Sequence, residues 1–181
     1  MRRIRSILAA IAVAISIVAL AAGPANAYPI GASIFNPASG RCVGISNGLA
    51  GIWDCTGNAD QMWHWEDPRW TEYSITWFNI VNGRGECLAV AGADPAPGAQ
   101  VVGFNNCAGT RSADQLWATF HVLGSIDQLT NLNGYRRMQQ GQRGGFLGVA
   151  GGATNNGARV VQWYQDYSEN QKWMFLEDPP Q

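Results

Sequence analysis

The tripeptide Gln-x-Trp occurs three times, as Gln61-Met62-Trp63, Gln115-Leu116-Trp117 and Gln171-Lys172-Trp173, at spacings of 54 and 56 residues. An acid or amide precedes each one: Asp60, Asp114 and Asn170. Upstream of each lies a second recurring string, Gly40-Arg41-Cys42-Val43-Gly44-Ile45, Gly85-Glu86-Cys87-Leu88-Ala89-Val90 and Gly145-Phe146-Leu147-Gly148-Val149. Between the two comes an aromatic landmark at Trp53, Phe104 and Trp163. A unit this short cannot bury an apolar face alone, so three copies must share one core.

The local pattern within each copy favours strands. Tyr73 to Ile80 alternates and is rich in β-branched and aromatic residues, while Ala99 to Phe104 and Arg159 to Trp163 are short apolar runs after Gly-bearing turns. Beyond the N-terminus no apolar series holds helical spacing for three turns. Asn47-Gly48, Asn82-Gly83, Asn133-Gly134 and Asn156-Gly157 have the chemistry of positive-φ hairpin turns. The reading is all-β, a closed barrel with pseudo-threefold symmetry.

Residues 1–27 read as a signal peptide: Arg2, Arg3 and Arg5, then an apolar run from Ile7 to Ala22, then the Ala25-Asn26-Ala27 cleavage pattern. The Arg2-Arg3 pair lacks the flanking residues of twin-arginine export, and no cysteine follows the cleavage pattern to take a lipid. The expected mature domain, 28–181, is secreted, with no membrane attachment. It keeps 9 basic against 13 acidic residues. That balance does not suit a phosphate backbone, so nucleic acid is not an expected partner. Cys42, Cys55, Cys87 and Cys107 would meet an oxidising compartment. Four cysteines allow three pairings, and the absence of a C-x(2-4)-C knuckle argues against a zinc site. No cofactor or metal is expected.

Together the Gly-x-Cys string, the Gly-rich turn, the aromatic landmark and the closing Gln-x-Trp resemble the ricin B-chain-type β-trefoil lectins and bacterial carbohydrate-binding modules, over roughly Ser33 to Glu177. The repeats would span about 33–67, 73–121 and 126–177. The resemblance implies the disulfides Cys42–Cys55 and Cys87–Cys107, with Phe146 and Gln165 in place of the pair in the third repeat. It assigns Gln61, Trp63, Gln115, Trp117, Gln171 and Trp173 to the structure of the barrel; Trp65 and Trp77 are also expected to be buried.

A sugar pocket of this kind stacks the landmark aromatic against the ring and uses an Asp two residues after the first cysteine, with an Asn before the Q-x-W. The Asp position holds Gly44, Ala89 and Gly148, so all three carboxylates are missing. The first repeat also has a shortened turn between Cys42 and Trp53, and the second has Phe104 and Asp114 where Trp and Asn are favoured. The third keeps Trp163, Asn170 and Gln171, with Asn155 and Asn156 on its turn. It is the candidate carbohydrate site, with Trp53, Asp60, Phe104 and Asp114 as weaker candidates. The implied function is weak carbohydrate binding by a monomer.

An enzyme is not expected. His64 and His121 belong to no nucleophile or zinc motif. Glu66-Asp67 and Glu177-Asp178 are adjacent acids that a strand would point to opposite faces. Three repeats fill the 154 mature residues, which leaves no expected catalytic domain. The competing reading is a scaffold that binds a protein, through the stiff Ala93-Asp94-Pro95-Ala96-Pro97-Gly98 loop or through His64 to Trp70 if Trp70 is exposed.

Overall fold

The computed structural model describes residues 31–107, 109–124 and 126–178, apart from the side chains of 67–69. The expected signal peptide lies outside the described residues, as do the side chains of Asp67 and Pro68.

The described residues form twelve strands: β1 (Ala32–Asn36), β2 (Arg41–Ser46), β3 (Leu49–Trp53), β4 (Met62–Glu72), β5 (Ile75–Asn82), β6 (Cys87–Val90), β7 (Val101–Phe104), β8 (Trp117–Leu123), β9 (Ile126–Asn131), β10 (Gly145–Val149), β11 (Ala158–Tyr164) and β12 (Met174–Leu176). Antiparallel pairing runs β1 to β4, β5, β8 and β9 in turn; Asp127 of β9 bridges Trp173 beside β12, and β12 returns to β1. This ring is a closed six-stranded barrel, and closure removes the exposed edges of an open sheet. The hairpins β2–β3, β6–β7 and β10–β11 form the cap, joined by Leu49 to Val102, by Ala158 to Ile52 and by a Gln100–Val161 bridge. The fold is a β-trefoil with four strands per repeat.

Equivalent residues of the three repeats fill the core in layers. Ile34, Ile80 and Leu129 form one set, Val43, Leu88 and Leu147 a second, and Ile45, Val90 and Val149 a third. Trp63, Trp117 and Trp173 are fully buried, and each indole Nε1 donates to the carbonyl one residue beyond the cysteine position: Val43 at 3.0 Å, Leu88 at 2.7 Å and Leu147 at 3.0 Å. Each ring therefore joins a barrel strand to its cap hairpin and has its polar atom satisfied. Gln61 brackets the loop before it by donating to Asp54 O and accepting from Thr56 N, and Gln171 does the same to Tyr164 O and Asp166 N. In the second repeat Gln115 Oε1 is buried without a partner. Gln115 and Gln171 end short 3-10 turns, so the strand begins at the Trp or just after it.

Cys42–Cys55 and Cys87–Cys107 are disulfides, each within its own repeat. In the third repeat Phe146 is buried, edge-on to Phe120, and Gln165 donates to Gln128.

Four expectations need correction. Asn133-Gly134 is not a hairpin turn: within the all-β fold it lies in the first turn of a short α-helix, α1 (Leu132–Gln139), where Asn131 caps Asn133 N at 3.1 Å. Gly134 is needed there for space, because a Cβ would stand 2.6 Å from Gly145 N. At Asn82-Gly83 the turn is made by the Asn side chain, which accepts from Arg84 N and Glu86 N, while Gly85 takes the positive φ. Tyr73 and Ser74 are the β4–β5 turn, with φ of 56° and 59°, and the strand starts at Ile75. The stretch His64 to Trp70, offered as a protein-binding segment if Trp70 is exposed, is part of the 11-residue strand β4. Trp70 is half-buried, donating to Glu72 at 2.9 Å beneath the Arg111 guanidinium. Trp77 is buried as expected, whereas Trp65 is only half-buried, against Phe78 and Phe175.

Candidate carbohydrate site

The β10–β11 hairpin aligns Trp163 with Phe146, and the ring borders a cleft of about 400 Å³. Around it stand Val149, Arg159, Asp166, Ser168 and Asn170, with Gly98 reaching in from the second repeat. Asn170 donates to Val149 O at 2.8 Å and accepts from Ser168 Oγ, which fixes the amide while leaving part of its hydrogen-bonding capacity free. Asp166 accepts from Ser168 N at 3.0 Å and stays exposed at the rim. Asp166 and Arg159 were missed by the repeat comparison, because neither occupies a position of the family pattern; the nearest signal is that Asp166 sits within the loop bracketed by Gln171. A carboxylate thus stands in this cleft although Gly148 supplies none.

Two of the expected site residues do not belong to this cleft, and a third has a different task. Gln171 is completely buried and holds the Tyr164–Asp166 loop, so it positions the cleft without touching its contents. Asn156 points to the first repeat: its Oδ1 accepts from Arg41 Nε at 2.7 Å and Asp54 N at 2.8 Å, and its Nδ2 donates to Asp54. Asn155 is exposed and donates to Asn156 O. The turn of each repeat leans on the next aromatic, which is why residues adjacent to Trp163 in sequence line another pocket.

The same displacement explains the Pro-bearing loop. Gly98 N donates to Gln162 O at 2.6 Å, and a Cβ on Gly98 would lie 3.4 Å from the Trp163 ring. The buried Gln162 amide donates to Asp94 O and Ala96 O at 3.3 and 3.4 Å. The Ala93 to Gly98 loop is therefore seated on β11 and sets Gly98 against Trp163 as part of the wall of the third-repeat cleft.

In the first repeat Trp53 lies over glycines: added Cβ atoms at Gly44, Gly51 and Gly157 would meet its ring at 3.2, 3.2 and 3.3 Å. Its Nε1 is buried without a partner. Asp60 folds back over Gly44, with Oδ2 3.0 Å from where that Cβ would be, and pairs with Arg84 at 2.9 Å. The cleft, about 470 Å³, is more polar than the third, with the Arg41–Asp54 pair at 3.4 Å on its edge. In the second repeat Phe104 is 49% exposed and Asp114 is engaged by Ser112 Oγ. Only the two-residue Asn47-Gly48 turn of the first repeat reaches toward Phe104, where Gly103 N donates to Gly48 O. The shortened turn strips a wall from the second site as well as from its own.

His64 and His121 line none of these clefts. His121 lies 3.1 Å from Asp127 on the β8–β9 hairpin. Among the described residues no three metal-ligating side chains cluster, and no helix is long and apolar enough to cross a membrane.

Residues 70–163, just over half of the chain, match the family described as ricin-type beta-trefoil lectin domain-like. Among solved structures the designed threefold-symmetric protein ThreeFoil superposes with a TM-score of 0.68 at 19% identity, covering 82% of this chain and 99% of that one. An exo-beta-1,3-galactanase of Clostridium thermocellum gives 0.67 at 17%, covering 82% of this chain but 30% of the enzyme. The Macrolepiota procera ricin B-like lectin, solved with lactose, gives 0.62 at 17%, covering 82% and 95%. At such identities the likeness is one of fold. No curated protein matches the chain. Because the sequence match spans more than half of the chain and the folded chain closes into the same barrel and cap, this protein belongs to the ricin-type β-trefoil lectin domain-like family.

Proposed function

We propose that the protein is secreted and binds carbohydrate weakly through its third repeat, without catalysing a reaction. The observation that carries this reading is the gathering of Trp163, Asn170 and Asp166 around one cleft. The flat face of Trp163 takes the C–H side of a sugar ring, and the Asn170 amide and Asp166 carboxylate take its hydroxyls. One stacked ring and two or three hydrogen bonds at about 1 kcal/mol each give roughly 4 kcal/mol, a Kd of about 1 mM. Secretion rests on the charged, apolar and small-residue succession of 1–27 and on two disulfides that suit an oxidising compartment.

A protein-binding scaffold has less support. The Ala93–Gly98 loop is seated on β11, and Trp70 is covered by Arg111. A glycan array followed by tryptophan-fluorescence titration tests the proposal. Binding to at least one glycan, lost in Trp163→Ala, is the expected result. No response to any neutral or acidic glycan, or a response indifferent to Trp163→Ala, would overturn it.

A further inference from the structure

The third repeat carries an insertion that its counterparts lack. Between β9 and β10 the chain runs through α1 and the 140–144 loop, whereas β1 to β2 and β5 to β6 are joined by four residues each. Gly134, Gly144 and Gly145 pack so closely that any Cβ there would collide, which fixes the insertion against β10. Its far end builds a second cleft, of about 320 Å³, from Met138, Gln142, Arg143, Tyr164 and Gln165.

This cleft adjoins the first. Trp163 lines one and Tyr164 the other, and their ring centroids are 5.0 Å apart, tilted by 35°. The loop after β11 divides likewise, with Asp166 on the Trp163 side and Gln165 on the Tyr164 side. Charge differs between the two. Among the described residues no acidic side chain lines the second cleft, and the Arg143 guanidinium carbon lies 4.9 Å from the centroid of the Tyr164 ring. Arg143 is exposed and makes no ion pair among the described residues. A guanidinium set over an aromatic face is held there by the ring's negative quadrupole, and its N–H groups can take a carboxylate or sulfate through two parallel bonds.

We infer that the third-repeat site is an extended one that takes an acidic oligosaccharide: a neutral unit on Trp163 beside Asn170 and Asp166, and a unit bearing a carboxylate or sulfate across Tyr164 on Arg143. The assignment rests on the carbohydrate reading above. It also sets the direction of the chain, since the Trp163 cleft sets the Asp166 carboxylate against its arginine, Arg159, whereas Arg143 has no carboxylate beside it in the Tyr164 cleft.

The test titrates the folded protein with matched pairs whose acidic member keeps a neutral unit for Trp163: lactose against 3′-sulfated lactose, and xylotetraose against its glucuronic-acid-branched form. The acidic member of at least one pair should bind about three- to tenfold tighter, the gain of one partly exposed, two-pronged ion pair. That margin should vanish in Arg143→Gln and shrink in high salt, with the neutral member unchanged. Arg111→Gln, an exposed arginine stacked on Trp70 away from both clefts, should preserve it. Equal binding of neutral and acidic members, or a margin that survives Arg143→Gln, overturns the inference while leaving the Trp163 site standing. No binding of any glycan removes both.

Discussion

Restoring the missing carboxylate in the third repeat should strengthen sugar binding, and the same change in the first should fail for a steric reason. A Cβ at Gly148 would have one tight neighbour, Gln171 Cγ at 3.1 Å, with Asn170 atoms at ordinary distances of 3.7 and 3.9 Å. Gly148→Asp therefore costs about 1 kcal/mol, the low end of overpacking penalties, or roughly 2–4 °C in Tm. At Gly44 the Cβ would meet Gln61 Cγ at 2.9 Å, Asp60 Oδ2 at 3.0 Å and Trp53 Cδ1 at 3.2 Å. Gln61 cannot move aside without losing bonds to Thr56 and Asp54. Gly44→Asp should cost about 3 kcal/mol, and it adds a second carboxylate beside Asp60. In the third repeat the new carboxylate would accept from sugar hydroxyls in a cleft already holding Trp163. A bond to a charged acceptor contributes about 1.5–3 kcal/mol, a tenfold to hundredfold fall in Kd. Calorimetric titration with the best ligand of the array, alongside thermal melts of both variants, reads the two effects. A folded Gly148→Asp protein with unchanged Kd would refute the reasoning about the lost acceptor. A Gly44→Asp protein as stable as Gly148→Asp would refute the packing comparison.

Two further outcomes follow from contacts outside the Trp163 cleft. Arg136 donates two hydrogen bonds to the Glu72 carboxylate, at 2.8 and 2.7 Å, and these hold its pKa below the ordinary value against the opposing effect of burial. A carboxyl lowered in the folded state adds stability above its unfolded pKa and loses it as pH falls through the folded one; acid melts should therefore show a loss below about pH 4 that is smaller in Glu72→Gln. At Gly145 a Cβ would stand 1.9 Å from Gln162 Cγ, so Gly145→Ala must displace the side chain that holds Asp94 O and Ala96 O. It should lower stability by about 1–3 kcal/mol and weaken sugar binding together, whereas unchanged binding in a melted-down variant would show that the 93–98 wall is dispensable.

The repeat was legible because its signals are local and occur three times. Trp63, Trp117 and Trp173 are all core rings with the same indole bond, and the two disulfides lie where the family pattern implies. The helix was not legible: at eight residues it is shorter than three turns, carries Gly134 in its interior, and is held by packing of Tyr135 against Trp77 and Phe120. A third regularity marks the repeats. Asn36, Asn82 and Asn131 each end the first strand of a repeat, and Asn36 and Asn131 tie that strand to the carbonyls around a Gln-x-Trp.

Residue type at fixed intervals is enough to specify the threefold barrel, its tryptophan core and the candidacy of Trp163. Which residues share a cleft depends instead on how the repeats pack. The cap hairpins pack in a ring, so each turn closes against a neighbouring repeat: Gly98 reaches Trp163, Asn156 reaches Asp54, and Asp166 supplies the third cleft with a carboxylate that Gly148 lacks. Contacts between repeats are set by how the hairpins close on one another, which no comparison of the repeats position by position contains.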